Sequence, residues 1–151
     1  MNVLTPVSKI MTHDLQVVLP NDPLSKVKEL FDTYRFHHIP VVHFKKVVGI
    51  ISRADFQAYY TTLDKHFESR FINNILLNHH TAEEIMSRRL AKVNPDDRLN
   101  VAIEIFKDNL IHALPVVNDD DELVGIITTH DLIQQLAKEK INDLDYQLSE
   151  K

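Results

Sequence analysis

Cysteine is absent from this 151-residue chain, which excludes disulfides, thiolate chemistry and every zinc site built on Cys. Glycine is scarce, with only Gly49 and Gly125. No run approaches the roughly 18–20 consecutive apolar residues of a membrane helix. The opening stretch, Met1 to Asp14, lacks the uninterrupted apolar segment of a signal peptide, so a cytoplasmic location is expected. There is no Lys/Arg run, and the net charge is −5. That balance argues against broad contact with a nucleic-acid backbone and against an acidic membrane face as partner. HExxH, Gly-x-Ser-x-Gly and Walker sequences are missing, and no nucleophile stands at a recognisable spacing from a base. The expectation is no catalysis and no required cofactor. What is present is ordinary for a globular protein, 44% hydrophobic and 26% charged residues. The length suits one domain, or two half-size units packed together, burying roughly 68–70% of the unfolded surface.

The chain repeats itself. With a shift of 75, Ile10-Met11 falls on Ile85-Met86, Pro20 on Pro95, Asp22 on Asp97, Phe31 on Phe106, His37 on His112, and Pro40-Val41-Val42 on Pro115-Val116-Val117. One inserted loop residue makes the shift 76, and Val48-Gly49-Ile50-Ile51 then meets Val124-Gly125-Ile126-Ile127, with Asp55 on Asp131. Over Val7–Val42 the two copies agree at 13 of 36 positions, and over Val47–Phe56 at 5 of 10. Ordinary composition would give about three matches in all.

Each copy reads as β-α-β-β-α. Leu15–Leu19 is a short strand closed by Pro20-Asn21-Asp22-Pro23, with Asp22 suited to cap a helix and Pro23 to begin it. Leu24, Val27, Leu30, Phe31 and Tyr34 then form one apolar helical stripe. Ile39–Val42 and Val47–Ile51 are β-branched strands joined as a hairpin through His43–Lys46, and a helix begins near Ser52. The second copy has a strand to Asn94, a cap at Asp96 or Asp97, a helix through Leu110, strands Leu114–Val117 and Leu123–Ile127, and a helix from Thr128. Its hairpin loop, Asn118–Glu122, consists of turn-forming residues. Between the copies Phe67, Phe71, Ile72, Ile75 and Leu76 mark one face of a linker helix. At the end Ile133, Ala137, Ile141, Leu144 and Leu148 form a stripe for the module's own core or for a second chain.

The chemistry is expected after the third strand of each copy, at Gly49-Ile50-Ile51-Ser52-Arg53-Ala54-Asp55 and Gly125-Ile126-Ile127-Thr128-Thr129-His130-Asp131. Ser/Thr-x-x-acid at a helix start is a capping box. The same helix N-terminus, with its free amides and positive dipole end, also suits a phosphate. An Asp there repels phosphate but accepts hydrogen bonds from a ribose diol. The two glycines both occupy one position of this motif, which points to a backbone constraint or a close approach.

A hydrophobic-Pro-Val-Val strand, a Val-Gly-Ile-Ile strand and Ser/Thr-x-x-Asp, all occurring twice, resemble a tandem CBS domain pair, or Bateman module, from about Val7 to Leu136. The resemblance implies an α/β (α+β) fold of two β-α-β-β-α repeats about a pseudo-twofold axis. It divides the chain into a first motif at 1–60, a linker helix at 61–80, a second motif at 81–138 and a C-terminal helix extension at 139–151. It also implies a non-catalytic regulatory module with two clefts for adenosine nucleotides, AMP, ADP or ATP. One cleft would join Thr128, His130 and Asp131 to Gln16, Phe36, His37 and His38. The other would join Ser52, Arg53 and Asp55 to Ala91, Ile111, His112 and Ala113. Arg53 in one and Thr129-His130 in the other predict unequal affinities. A homodimer and a separate regulated protein follow from the same resemblance. The alternatives are a structural dimerisation module without a physiological ligand, or S-adenosylmethionine as the ligand.

Other groups compete for attention. His79-His80-Thr81-Ala82-Glu83-Glu84 packs metal-ligand types closely, yet Thr81 suits an N-cap with Glu84 at the third position, so a capping box and no metal site is expected. Arg88-Arg89 either lends positive charge to a phosphate or belongs to a solvated loop. His37 and His112 are placed to cap, pack or edge a cleft.

Overall fold

A computed structural model of the chain describes residues 1–64 and 70–138; the side chains of residues 64 and 70–73 are left out of the account. The expected C-terminal helix at 139–151 lies outside the described residues, as does Phe67 of the expected linker stripe.

In the first copy the elements are α1 (Leu24–Thr33), β1 (His38–His43), β2 (Lys46–Ser52) and α2 (Arg53–Asp64), followed by α3 (Arg70–His79). The second copy has α4 (Ala82–Ile85), α5 (Leu99–Asn109), β3 (Ala113–Val117), β4 (Leu123–Thr128) and α6 (Thr129–Ala137). The architecture is mixed α+β. Each copy contributes one antiparallel hairpin, β1 with β2 and β3 with β4, and each hairpin carries a register irregularity at the same place, Val41/Val42 and Val116/Val117. The tight β1–β2 turn is made by Phe44 and Lys45, both at positive φ, the backbone form a two-residue hairpin needs.

Four expectations need correction. The strand Leu15–Leu19 is reduced to a single parallel bridge between Val18 and Val41, and its counterpart to one between Val93 and Val116. The reason is local: the next amide, Leu19, donates to Asp22 Oδ2 (2.7 Å) and Asn94 to Asp97 Oδ2 (2.8 Å). The two aspartates therefore close a turn instead of capping a helix, and the N-caps are Pro23 and Arg98. The α1 stripe buries Leu24, Val27 and Phe31, but Tyr34 has left the helix, is exposed, and stacks on Phe36 at 5.3 Å. In the linker, α2 runs on to Asp64 and α3 buries Leu77 while Ile75 is exposed.

Each helix start is completed by the segment that leads into the other copy. Leu24 N donates to His80 O (2.9 Å), and Leu99 N to Thr5 O (3.0 Å). The outer hairpin strands make the same exchange. Ile50 pairs with Ser87 and Ile126 with Thr12, each through two hydrogen bonds of 2.9–3.1 Å. Apolar side chains follow the backbone. Among the described residues there are two cores: one holds first-copy residues with Ala82 and Met86, the other second-copy residues with Val7 and Met11. The sequence repeats are thus not the spatial units, because each core is completed by the leading segment of the opposite copy. The crossing of these segments gives the pseudo-twofold relation.

The exchange also explains the two glycines. Neither has a positive φ, so backbone conformation is not the constraint. A Cβ on Gly49 would lie 2.3 Å from Met86 Sδ, and one on Gly125 2.6 Å from Met11 Sδ. Close approach by the methionine of the other copy is the reason for both.

Candidate functional site

The Thr128–Asp131 motif forms the full capping box its spacing suggests, and the Ser52–Asp55 motif forms its side-chain half. Thr128 N and Thr128 Oγ1 donate to Asp131 Oδ2 (2.8 and 2.6 Å), and Asp131 N donates back to Thr128 Oγ1 (3.2 Å). Ser52 Oγ donates to Asp55 Oδ2 (2.5 Å) and accepts from Asp55 N (3.0 Å). All of these carboxylate bonds fall on one oxygen, Oδ2. Capping consequently leaves the other carboxylate oxygen out of the box.

The helix N-termini are less open than their sequence suggests. The first amide of α2, Arg53 N, donates to His37 O (2.7 Å), and that of α6, Thr129 N, to His112 O (3.1 Å). With the third amide held by the box hydroxyl, the second, at Ala54 and His130, is the one left for an anion.

Two clefts flank the shared wall of His38, Ser52 and His112, which line both. The larger, about 470 Å3, brings together all seven residues assigned to it: Gln16, Phe36, His37 and His38 of the first copy with Thr128, His130 and Asp131 of the second. The smaller, about 190 Å3, is lined by Ser52, Asp55, Ala91, Ile111, His112 and Ala113. Only the larger falls within the roughly 300–1,000 Å3 usual for small-molecule sites.

Arg53 does not join the cleft it was expected in. It lines the larger one, and its Nη2 donates to the carbonyls of Phe31, Tyr34 and Phe36 (2.6, 2.9 and 3.1 Å) while the guanidinium lies 4.9 Å from the Phe31 ring centroid. Those carbonyls belong to the end of α1 and the loop beyond it, where a cation complements the helix dipole. Sequence reasoning passed over two charged side chains, Asp14 and Arg35, and weighed Arg89 against a solvated loop. Asp14 and Arg35 line the larger cleft, and Arg89 lines the smaller. Asp14 and Arg89 are repeat-related positions of opposite charge, and that mismatch within the duplication is the signal that would have drawn attention to Asp14. Arg88, by contrast, sits 3.8 Å from Glu83 on the surface.

His38 is the electrostatically perturbed group of the site. Burial first, and then the neighbouring His37 and His112, lower its pKa from 6.5 to about 4, with Asp55 acting in the opposite direction. Folded His38 is therefore neutral at pH values where an unfolded histidine takes up a proton. The stability that depends on this is complete above pH 6.5 and is lost as the pH falls toward about 4. The His38→Gln variant is expected to show a shallower fall in urea-unfolding free energy over that window than the parent chain. Parallel curves would assign the loss to other groups.

The His79–Glu84 segment is used as a helix start. Thr81 N donates to Glu84 Oε1 (3.2 Å), and His80 Nδ1 lies 2.6 Å from Glu84 Oε2. No helix among the described residues is long and apolar enough to cross a membrane.

The chain is similar to proteins whose sequences or structures are known. The protein MJ1225 of Methanocaldococcus jannaschii is 32% identical over 128 residues, covering 84% of this chain and 45% of that protein. Inosine-5'-monophosphate dehydrogenase of the same organism is 25% identical over 84% of this chain and 23% of the enzyme. The chain thus spans less than half the length of these relatives. Among solved structures, MJ1225 superposes with a TM-score of 0.73 at 26% identity, covering 90% of this chain and 49% of that one. The CBS domain pair of MJ0100, solved in complex with 5'-methylthioadenosine and S-adenosyl-L-methionine, superposes with a TM-score of 0.70 at 27% identity, covering 91% of this chain and 99% of that one. The CBS domain model matches residues 7–61 and 82–138, and the chain belongs to the CBS domain family, as a tandem pair.

Proposed function

We propose that this chain is a non-catalytic regulatory module that binds an adenosine nucleotide, AMP, ADP or ATP, in the clefts between its CBS domains and conveys occupancy to a separate partner protein. One observation carries the reading. In each copy the motif aspartate is engaged by the residue three before it through a single oxygen, Oδ2, so the second oxygen is available to a ribose diol. In the larger cleft Asp131 would take the ribose, and the His130 amide, Thr128, Thr129 and Arg35 the phosphate. Gln16, Phe36, His37 and His38 would hold the base. In the smaller cleft Asp55 and Ser52 would take the corresponding roles, with Ala91, Ile111, His112 and Ala113 about the base and Arg89 in place of Arg53 as the cation. The CBS pair of MJ0100 binds two adenosine compounds, which supports an adenosine moiety as the shared element.

The difference in volume favours the larger cleft as the tighter site. A homodimer is part of the proposal, with the exposed Ile133 and Leu136 of α6 as available apolar surface. The test is a thermal-shift panel of adenosine, AMP, ADP, ATP and S-adenosylmethionine, with native mass spectrometry of the same samples. A stabilising nucleotide retained on a dimer is expected. A panel without any shift would leave a structural dimerisation module, and a response to S-adenosylmethionine alone would replace the nucleotide.

A further inference from the structure

Four of the nine histidines line the larger cleft: His37, His38, His112 and His130. The duplication supplies an internal comparison. Position for position, His38 corresponds to Ala113 and His130 to Ala54, so one half-site sequence carries methyl groups where the other carries imidazoles. His38 and His112 stand in the wall common to both clefts, whereas His37 and His130 line the larger alone.

The charges around these rings come from every element that builds the cleft. Asp14 lies in the N-terminal segment, Arg35 in the loop before β1, Arg53 on α2 and Asp131 on α6. Asp55, on α2, acts on His38 from the other side of the wall. The two arginines and the two aspartates that line the cleft balance in formal charge. Arg53 is held by three carbonyls and Asp131 Oδ2 by Thr128. The one histidine ion pair among the described residues, His80 with Glu84, is elsewhere. The imidazoles of the cleft are thus its main adjustable charge, and protonating His38 is opposed by its burial and by the neighbouring His37 and His112. An anion placed among them reverses that opposition, because each proton taken up then adds an attraction.

We propose that the larger cleft binds the anionic group of its ligand together with protons taken up by these histidines, so that its occupancy responds to pH more strongly than that of the smaller cleft. The inference rests on the nucleotide reading above and adds a regulatory input to it. Binding strengthens as the pH falls from 8 to 6, and the strengthening requires the phosphate.

The experiment is titration calorimetry of the whole chain with AMP and with adenosine, at pH 6, 7 and 8, in paired buffers of different ionisation heat. For AMP, net proton uptake and about a tenfold gain in affinity from pH 8 to 6 are expected; for adenosine, neither. The sign identifies the source. A phosphate monoester has its second pKa near 6, so selective binding of its dianion releases protons, and uptake must come from the protein. His130→Ala, an exposed change in the first turn of α6, is expected to reduce the proton uptake that accompanies AMP binding. AMP binding without uptake, or the same pH dependence for adenosine, overturns the inference and leaves the nucleotide reading standing. Failure of both compounds at every pH removes both.

Discussion

Replacing Asp131 with alanine is expected to weaken a ribose-bearing ligand by about 10- to 100-fold and to lower fold stability by about 1 kcal/mol. The first figure is the loss of about 1.5–3 kcal/mol for hydrogen bonds to a charged acceptor, and the second is the usual cost of a lost cap. Both effects are expected because the carboxylate divides its work: Oδ2 receives Thr128 N and Oγ1, and the other oxygen serves the ligand. Asp131→Asn separates the two. Its carbonyl oxygen still accepts the Thr128 amide, so stability changes little, while an amide group replaces the acceptor that faces the ribose. Affinity by calorimetry and stability by urea unfolding, measured on the same samples, read both parts. If the alanine variant loses about 1 kcal/mol of stability and binds as tightly as before, the aspartate is a cap and nothing more.

Gly49→Ala is expected to destabilise the fold by about 2–3 kcal/mol, toward the upper end of overpacking costs. The new methyl would meet not only Met86 Sδ but also its Cγ and Cβ, at 2.6 and 2.9 Å, so a change at the tip of the thioether does not relieve the clash. Met86 is buried in the first core and comes from the second copy's leading segment, so the strain falls on the exchange that ties the copies together. The double variant Gly49→Ala/Met86→Ala tests the mechanism: its loss is expected to be smaller than the sum of the two single losses, since the second change removes the obstacle. Additive losses in urea unfolding would place the cost of the glycine substitution elsewhere.

The candidate site was partly legible in the chain because its key contacts span three residues. Thr128 and Asp131, like Ser52 and Asp55, find each other through one helical turn whatever surrounds them. The grouping of the larger cleft came from the resemblance to a CBS pair, in which the two copies face each other. Arg53 shows where such reasoning stops: a cation at a helix start looks available for phosphate until α1 is seen to end beside it and present three carbonyls. The glycines teach the same lesson. Their shared position announced a requirement, but whether conformation or contact imposed it depended on two methionines distant in sequence.

What the amino-acid order determined by itself is everything written in short-range patterns: the duplication, both hairpins, the hydroxyl–aspartate contacts at the helix starts, and the helices whose apolar residues recur at helical spacing. Those features follow from backbone geometry and from contacts within a few residues, so they need no knowledge of the rest of the fold. Tertiary structure alone decided which leading segment completes which core. Val7 and Met11 enter the second core while Ala82 and Met86 enter the first, and the two segments are alike enough in shape and polarity that local pattern does not distinguish the partners. That choice fixes the rest of the site. It sets the methionines against the glycines and joins the hairpin edges across the copies. It also gives the two clefts a common wall with unequal sizes and unequal numbers of histidines.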